Sequence, residues 1–165
     1  MTLTGADKIK GISTPKTVKS VDNSAKSGII NNIKPKQEVQ DVHYIGKIDT
    51  NILEKEFGKI NTPEVVLTNE RKLHIQERHP DDYAIFEKYS NDIINNPDTI
   101  LKDCKNENTI FAIKHIEDTN LNIIIKLSVG DDTKHPKNSI MSAYRIRDKN
   151  VKKLIKKNKV LYKLE

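Results

Sequence analysis

Tryptophan is absent from this 165-residue sequence and cysteine occurs once, at Cys104. A single cysteine excludes an intrachain disulfide framework and a thiolate zinc site built from one chain, and it suits a reducing compartment. Apolar runs are short as well: none approaches the roughly 18 residues that a membrane-spanning helix needs. The opening stretch, MTLTGADKIK, has no apolar segment, so a standard signal peptide is not expected. These absences point to a cytoplasmic protein with no membrane partner, or to cargo that leaves the cell by another route. With 35% hydrophobic residues, the core is expected to be modest and rich in isoleucine and leucine.

Charge is plentiful and uneven. The formal net charge is +6, but residues 1–40 contribute +4, residues 41–143 contribute −5 and residues 144–165 contribute +7. A basic end on an acidic body suggests an edge that binds polyanions, although many lysine-rich faces only keep a chain solvated. Residues 1–40 are rich in Lys, Ser, Thr, Asn and Gly and show no sustained apolar period. They read as a flexible basic leader or linker that cannot bury enough apolar surface to offset its ordering entropy. A domain is expected over 41–165.

The string VVLTNERKLHIQERHP, residues 65–80, carries the chemistry most plainly. Thr68 can cap a helix with its hydroxyl, and Pro80 stops smooth continuation near His79. His74, Glu77 and Arg78, spaced i, i+3 and i+4, share one face of that helix. A proton-transfer group beside a fixed cation is what phosphoryl chemistry requires. Zinc fits poorly, because a zincin helix needs histidines four apart, whereas His74 and His79 are five apart, about 140° around a helix. No metal ligand set and no cofactor is expected. Two readings of His74 stand open: a catalytic group, or a hydrogen-bonded histidine that orients the helix. His79 reads mainly as a helix stop.

Periodicity predicts a short strand near 42–45 with a bend at Gly46, and helices over 51–57 and 81–95. Strands are expected over 99–102, 108–117, 121–129 and 139–146, then a basic helix over 148–158 and a last strand over 160–164. That pattern describes an α+β domain, with N-terminal helices packed on a small antiparallel sheet and a C-terminal basic helix and strand. Along 121–129, Leu121, Ile123, Ile125 and Leu127 point one way, while Lys126 and Ser128 point the other. Ser142 and Tyr144 also share a face. Lys126, Ser142 and Tyr144 are thus expected to meet His74 if its helix folds over them; the alternative is an ordinary solvated sheet face.

The string LTNERKLHIQERHP, with Tyr83, Ile94, Pro97-Asp98, the hairpin and NSIMSAYR, resembles a phage-associated nuclease domain. That domain belongs to the Barnase–EndoU–colicin–RelE superfamily of ribonuclease toxins. The resemblance covers about residues 41–165. It implies a helix-and-sheet fold and metal-independent endoribonuclease action by attack of the RNA 2′-hydroxyl, in a toxin-like phage or mobile-element protein. His74 matches the motif histidine and is implied as general base or acid, with His79 in reserve. Arg78 and Lys126 are implied as phosphate clamps, and Ser142 and Tyr144 as phosphate-positioning or proton-donating groups. Arg145 and the lysines Lys152, Lys153 and Lys156 would hold flanking RNA backbone without reading its sequence. RNA, tRNA included, is the implied partner, with an immunity or antitoxin protein as a second. A non-catalytic nucleic-acid-binding or virion-associated module of the same fold is the competing reading.

Overall fold

Helix boundaries in this chain follow local capping chemistry. The computed structural model describes residues 41–132 and 134–165, so the leader expected at 1–40 lies outside the described residues. In chain order the elements are β1 (Val42–Lys47), α1 (Thr50–Phe57), β2 (Glu64–Thr68), α2 (Asn69–Arg78) and α3 (Pro80–Asn95). Then come β3 (Thr99–Lys102), β4 (Thr109–Ile116), β5 (Thr119–Lys126), β6 (Asn138–Ile146), α4 (Asp148–Lys157) and β7 (Lys159–Lys163). Asp49 caps α1 by accepting from the Asn51 N–H at 2.9 Å, and Thr68 caps α2 by accepting from the Arg71 N–H at 3.2 Å. Pro80 opens α3, where its missing N–H costs nothing.

The fold is α+β, with a seven-stranded mixed sheet and four helices among the described residues. The strand order is β1-β2-β6-β5-β4-β3-β7. The expected small antiparallel sheet is therefore corrected: β2 runs parallel to β6, pairing Val65 with Asn138 and Val66 with Ser139. Alternation predicts which residues form strands but not which strands pair. Asn138 seals this seam, its Nδ2 donating to the Thr62 and Glu64 carbonyls at 2.7 and 2.9 Å while its Oδ1 accepts from the Ser128 N–H at 2.8 Å. Gly46, expected as a bend, lies inside β1 beyond a register shift, opposite Val65. A Cβ there would come within 3.0 Å of Asn95 Oδ1 and 3.2 Å of Ile94 Cγ2, so glycine lets β1 press against α3.

Cross-strand pairing sorts the sheet into two faces. On one, Val65, Leu67, Ile100, Ile110, Ala112, Leu121, Ile123, Ile125 and Ala143 join Leu53 of α1, Ile75 of α2 and Phe86, Ile93 and Ile94 of α3 in the main core. On the other, Leu101, Phe111 and Ile113 pack with Ile124 and with Val151, Leu154 and Ile155 of α4. No helix among the described residues is long and apolar enough to cross a membrane.

Candidate active site

β2 and β6 stay paired for only two residues, and the edge of β6 beyond Ser139 is met by the α2–α3 junction. There the Arg145 N–H donates to Asp82 Oδ2 at 3.0 Å, and its Nε donates to Asp82 Oδ1 at 2.6 Å. One residue earlier, the Tyr144 ring lies 5.1 Å from the His79 ring, centroid to centroid, tilted by 33°. Successive strand residues point to opposite faces, so the junction grips β6 on both sides.

His79 is the pivot of that junction. Its N–H closes α2 on the Ile75 carbonyl at 2.8 Å, and its own carbonyl accepts from the Asp82 N–H at 3.0 Å, opening α3. With φ −137° and ψ 58° it belongs to neither helix, and its side chain makes no capping bond. That leaves the imidazole free to lie on Tyr144. The helix stop foreseen at His79 is real, and it also aims the ring at the sheet.

Beneath this pair lies an amide. Tyr144 sits across β5 from Asn122, and Asn122 across β4 from Ile113, on the face that α4 partly covers. Asn122 is fully buried; its Nδ2 is 3.4 Å from the Tyr144 hydroxyl, and its Oδ1 has no partner. Sequence reasoning passed over it. The available signal was an amide in the middle of the isoleucine-rich strand TNLNIIIK, where an apolar side chain packs at no polar cost.

The other expected residues are more widely spread. Ser142 lies two residues before Tyr144 on the same face, half-buried and across from Ile124. His74 is half-buried one turn before Arg78, without a hydrogen bond to any described residue, and Arg78 is exposed with no ion pair among them. Ile75, beside His74, packs into the main core under the opposite face of the sheet, so α2 does not lie across Tyr144 and Ser142 as expected.

Lys126 does share their face, but it is four residues from Asn122, about 13 Å along the strand. Its amine donates to the Glu107 carbonyl at 2.9 Å. Arg145, expected at the RNA, points to the other face and is held by Asp82, whose hydrogen bond and charge raise the guanidinium's pKa above its ordinary value. Lys152, Lys153 and Lys156, with Lys149, line an open depression along α4. Among the described residues, no three His, Cys, Asp or Glu side chains gather as a metal-binding group.

An imidazole lying against a phenol, with Arg78 beside it in sequence and free of ion pairs among the described residues, suits chemistry on a phosphodiester. A model of the family described as phage-Barnase-EndoU-ColicinE5/D-RelE like nuclease3 matches residues 43–153, about two thirds of the chain, from β1 into α4. Curated proteins and solved structures give no match. The match spans the helix junction, the central strands and the His79–Tyr144–Asn122 cluster together, and the chain belongs to this family of phage nucleases.

Proposed function

We propose that this nuclease is an endoribonuclease that cuts single-stranded RNA without a metal, using His79 and Tyr144 as its proton-transfer pair. The observation that carries this reading is the His79 ring resting on Tyr144 above the buried Asn122. RNA holds its own nucleophile, the 2′-hydroxyl, so the protein needs a base for that proton, an acid for the leaving oxygen and a cation for the phosphate.

In the proposed step neutral His79 takes the 2′-hydroxyl proton while the 2′-oxygen bonds to phosphorus. The P–O5′ bond breaks, and the Tyr144 hydroxyl gives its proton to the departing 5′-oxygen. Imidazolium returns its proton to the phenolate through solvent, restoring both groups. The products are a 2′,3′-cyclic phosphate and a 5′-hydroxyl. Arg78, at the end of α2, is the proposed phosphate clamp, since a guanidinium can engage two phosphate oxygens. His74 is a second proton carrier on the same turn, and Ser142 positions the phosphate from the strand. Lys126, four residues along β5 from Asn122, meets a neighbouring phosphate rather than the scissile one. The α4 lysines hold flanking backbone.

A toxin-like role, with an immunity or antitoxin protein as partner, belongs to the same proposal. The test is digestion of a labelled single-stranded RNA in excess EDTA, with end-group analysis. Cyclic-phosphate ends are expected, with no cutting of the matching strand that lacks the 2′-hydroxyl at the cleavage position. Equal cutting of that deoxy strand, or loss of all activity in EDTA, would refute the proposal.

A further inference from the structure

Three asparagines are buried in the sheet, and two of them are fully used. Asn138 makes three bonds across the β2–β6 seam. Asn120 donates to the Ile146 carbonyl at 3.1 Å and to Asp148 Oδ1 at 2.6 Å, while its Oδ1 lies 3.2 Å from His115 Nδ1. Asn122, two residues on, has one long contact to Tyr144 and an orphaned oxygen, the one unpaired buried side-chain polar atom found among the described residues. Turning the amide over exchanges which atom is unpaired without removing the deficit. A leucine would fill nearly the same volume with no such deficit, so stability does not account for an amide here.

We propose that Asn122 is the positioning residue of the reaction, its amide holding the Tyr144 hydroxyl so that the O–H points out of the sheet toward RNA. This inference rests on the ribonuclease reading above. A phenol oxygen offers two acceptor sites and one proton. When Asn122 Nδ2 occupies an acceptor site from below, the proton is left to donate outward, to the departing 5′-oxygen. In the reversed amide the phenol donates inward to Oδ1 and its proton is lost to the substrate. The 3.4 Å contact is long for N–H···O, so it orients the phenol without clamping it.

The test is steady-state cleavage of a single-stranded RNA oligonucleotide by the full chain. Asn122→Leu is made alone and in a Tyr144→Phe background, with melting curves on every variant. Expected for Asn122→Leu alone is a kcat lower by roughly 10–100-fold, the scale of a misplaced reacting group, with KM within about twofold and a melting temperature no lower than wild type. In the Tyr144→Phe background it should cost nothing further. Asn122→Thr serves in the same way if the leucine variant does not fold. The Tyr144 Cζ resonance, read by carbon NMR without RNA, should move in either variant. An unchanged kcat, or an equal loss in both backgrounds, overturns the assignment. So does a Cζ resonance that stays in place. If wild type cuts no RNA while the resonance moves, the ribonuclease reading fails and Asn122's hold on Tyr144 stands.

Discussion

The two faces of the sheet are built to different rules. One is closed by α1, α2 and α3 over a core whose strand residues are nearly all isoleucine, leucine, valine or alanine, with Ile123, Ile125, Phe86 and Ile93 at 0–1% exposure. The other is covered by α4 on one side only, through half-buried Val151, Leu154 and Ile155. Beside that helix lie half-buried Ser142 and Tyr144, with the buried amide of Asn122 paired across from Tyr144. The closed face stabilises the sheet, and the partly open face carries the polar groups. Rigid strands shared by both faces let the first support the second: Tyr144 and Arg145 are neighbours on β6, one at the proposed reacting centre and one locked to Asp82.

The sharpest way to break this contrast is to remove the imidazole on the open face. His79→Ala keeps the backbone bonds of the junction and should lower RNA turnover by roughly 10²–10⁴-fold with little change in melting temperature. His74→Ala should cost less; if it costs more, the two histidines exchange roles. Phe86→Ala attacks the closed face instead. It should destabilise the fold by about 3–5 kcal/mol in denaturant titrations, while Leu154→Ala under α4 costs clearly less. Equal costs would mean that α4 seals its face as tightly as α3 seals the other.

Smaller effects sharpen the picture. Changing Lys149, Lys152, Lys153 and Lys156 together to Gln should weaken RNA binding and flatten its dependence on salt, through fewer released counterions. An unaltered salt slope would place the RNA elsewhere. The smallest effect expected concerns the last strand, β7. Glu56 of α1 accepts from Lys102 Nζ of β3 at 2.7 Å and from Lys159 Nζ of β7 at 2.6 Å. These hydrogen bonds, with the charges behind them, hold its carboxyl at about 2, below the usual glutamate value near 4.5. A depressed carboxylate pKa adds stability above the unfolded value and loses it as pH falls through the folded one. Acid melts of wild type should therefore lose stability between about pH 4.5 and 2 more steeply than those of Glu56→Gln. Parallel curves would show that solvent screens the pair completely.

Much of the molecule was legible residue by residue. Thr68 as a cap and Pro80 as a break depend on groups within four residues of each other, so the amino-acid order alone is enough to place them. The alternation in β5 likewise picked out Leu121, Ile123 and Ile125, which enter the main core, since side chains on a strand must alternate. It missed that Asn120 and Asn122 on the other face are buried too. What the order of residues left open was every relation set by chain closure across long separations. Only the folded chain pairs β2 with β6 in parallel, brings Asp82 to Arg145 and turns His79 rather than His74 onto Tyr144. The same holds for Asn122, whose amide oxygen is left unpaired between Ile113 and Tyr144 of the neighbouring strands. Caps and periods are short-range energies written in neighbouring residues; a site is a coincidence of distant ones, and packing alone determines which of them meet.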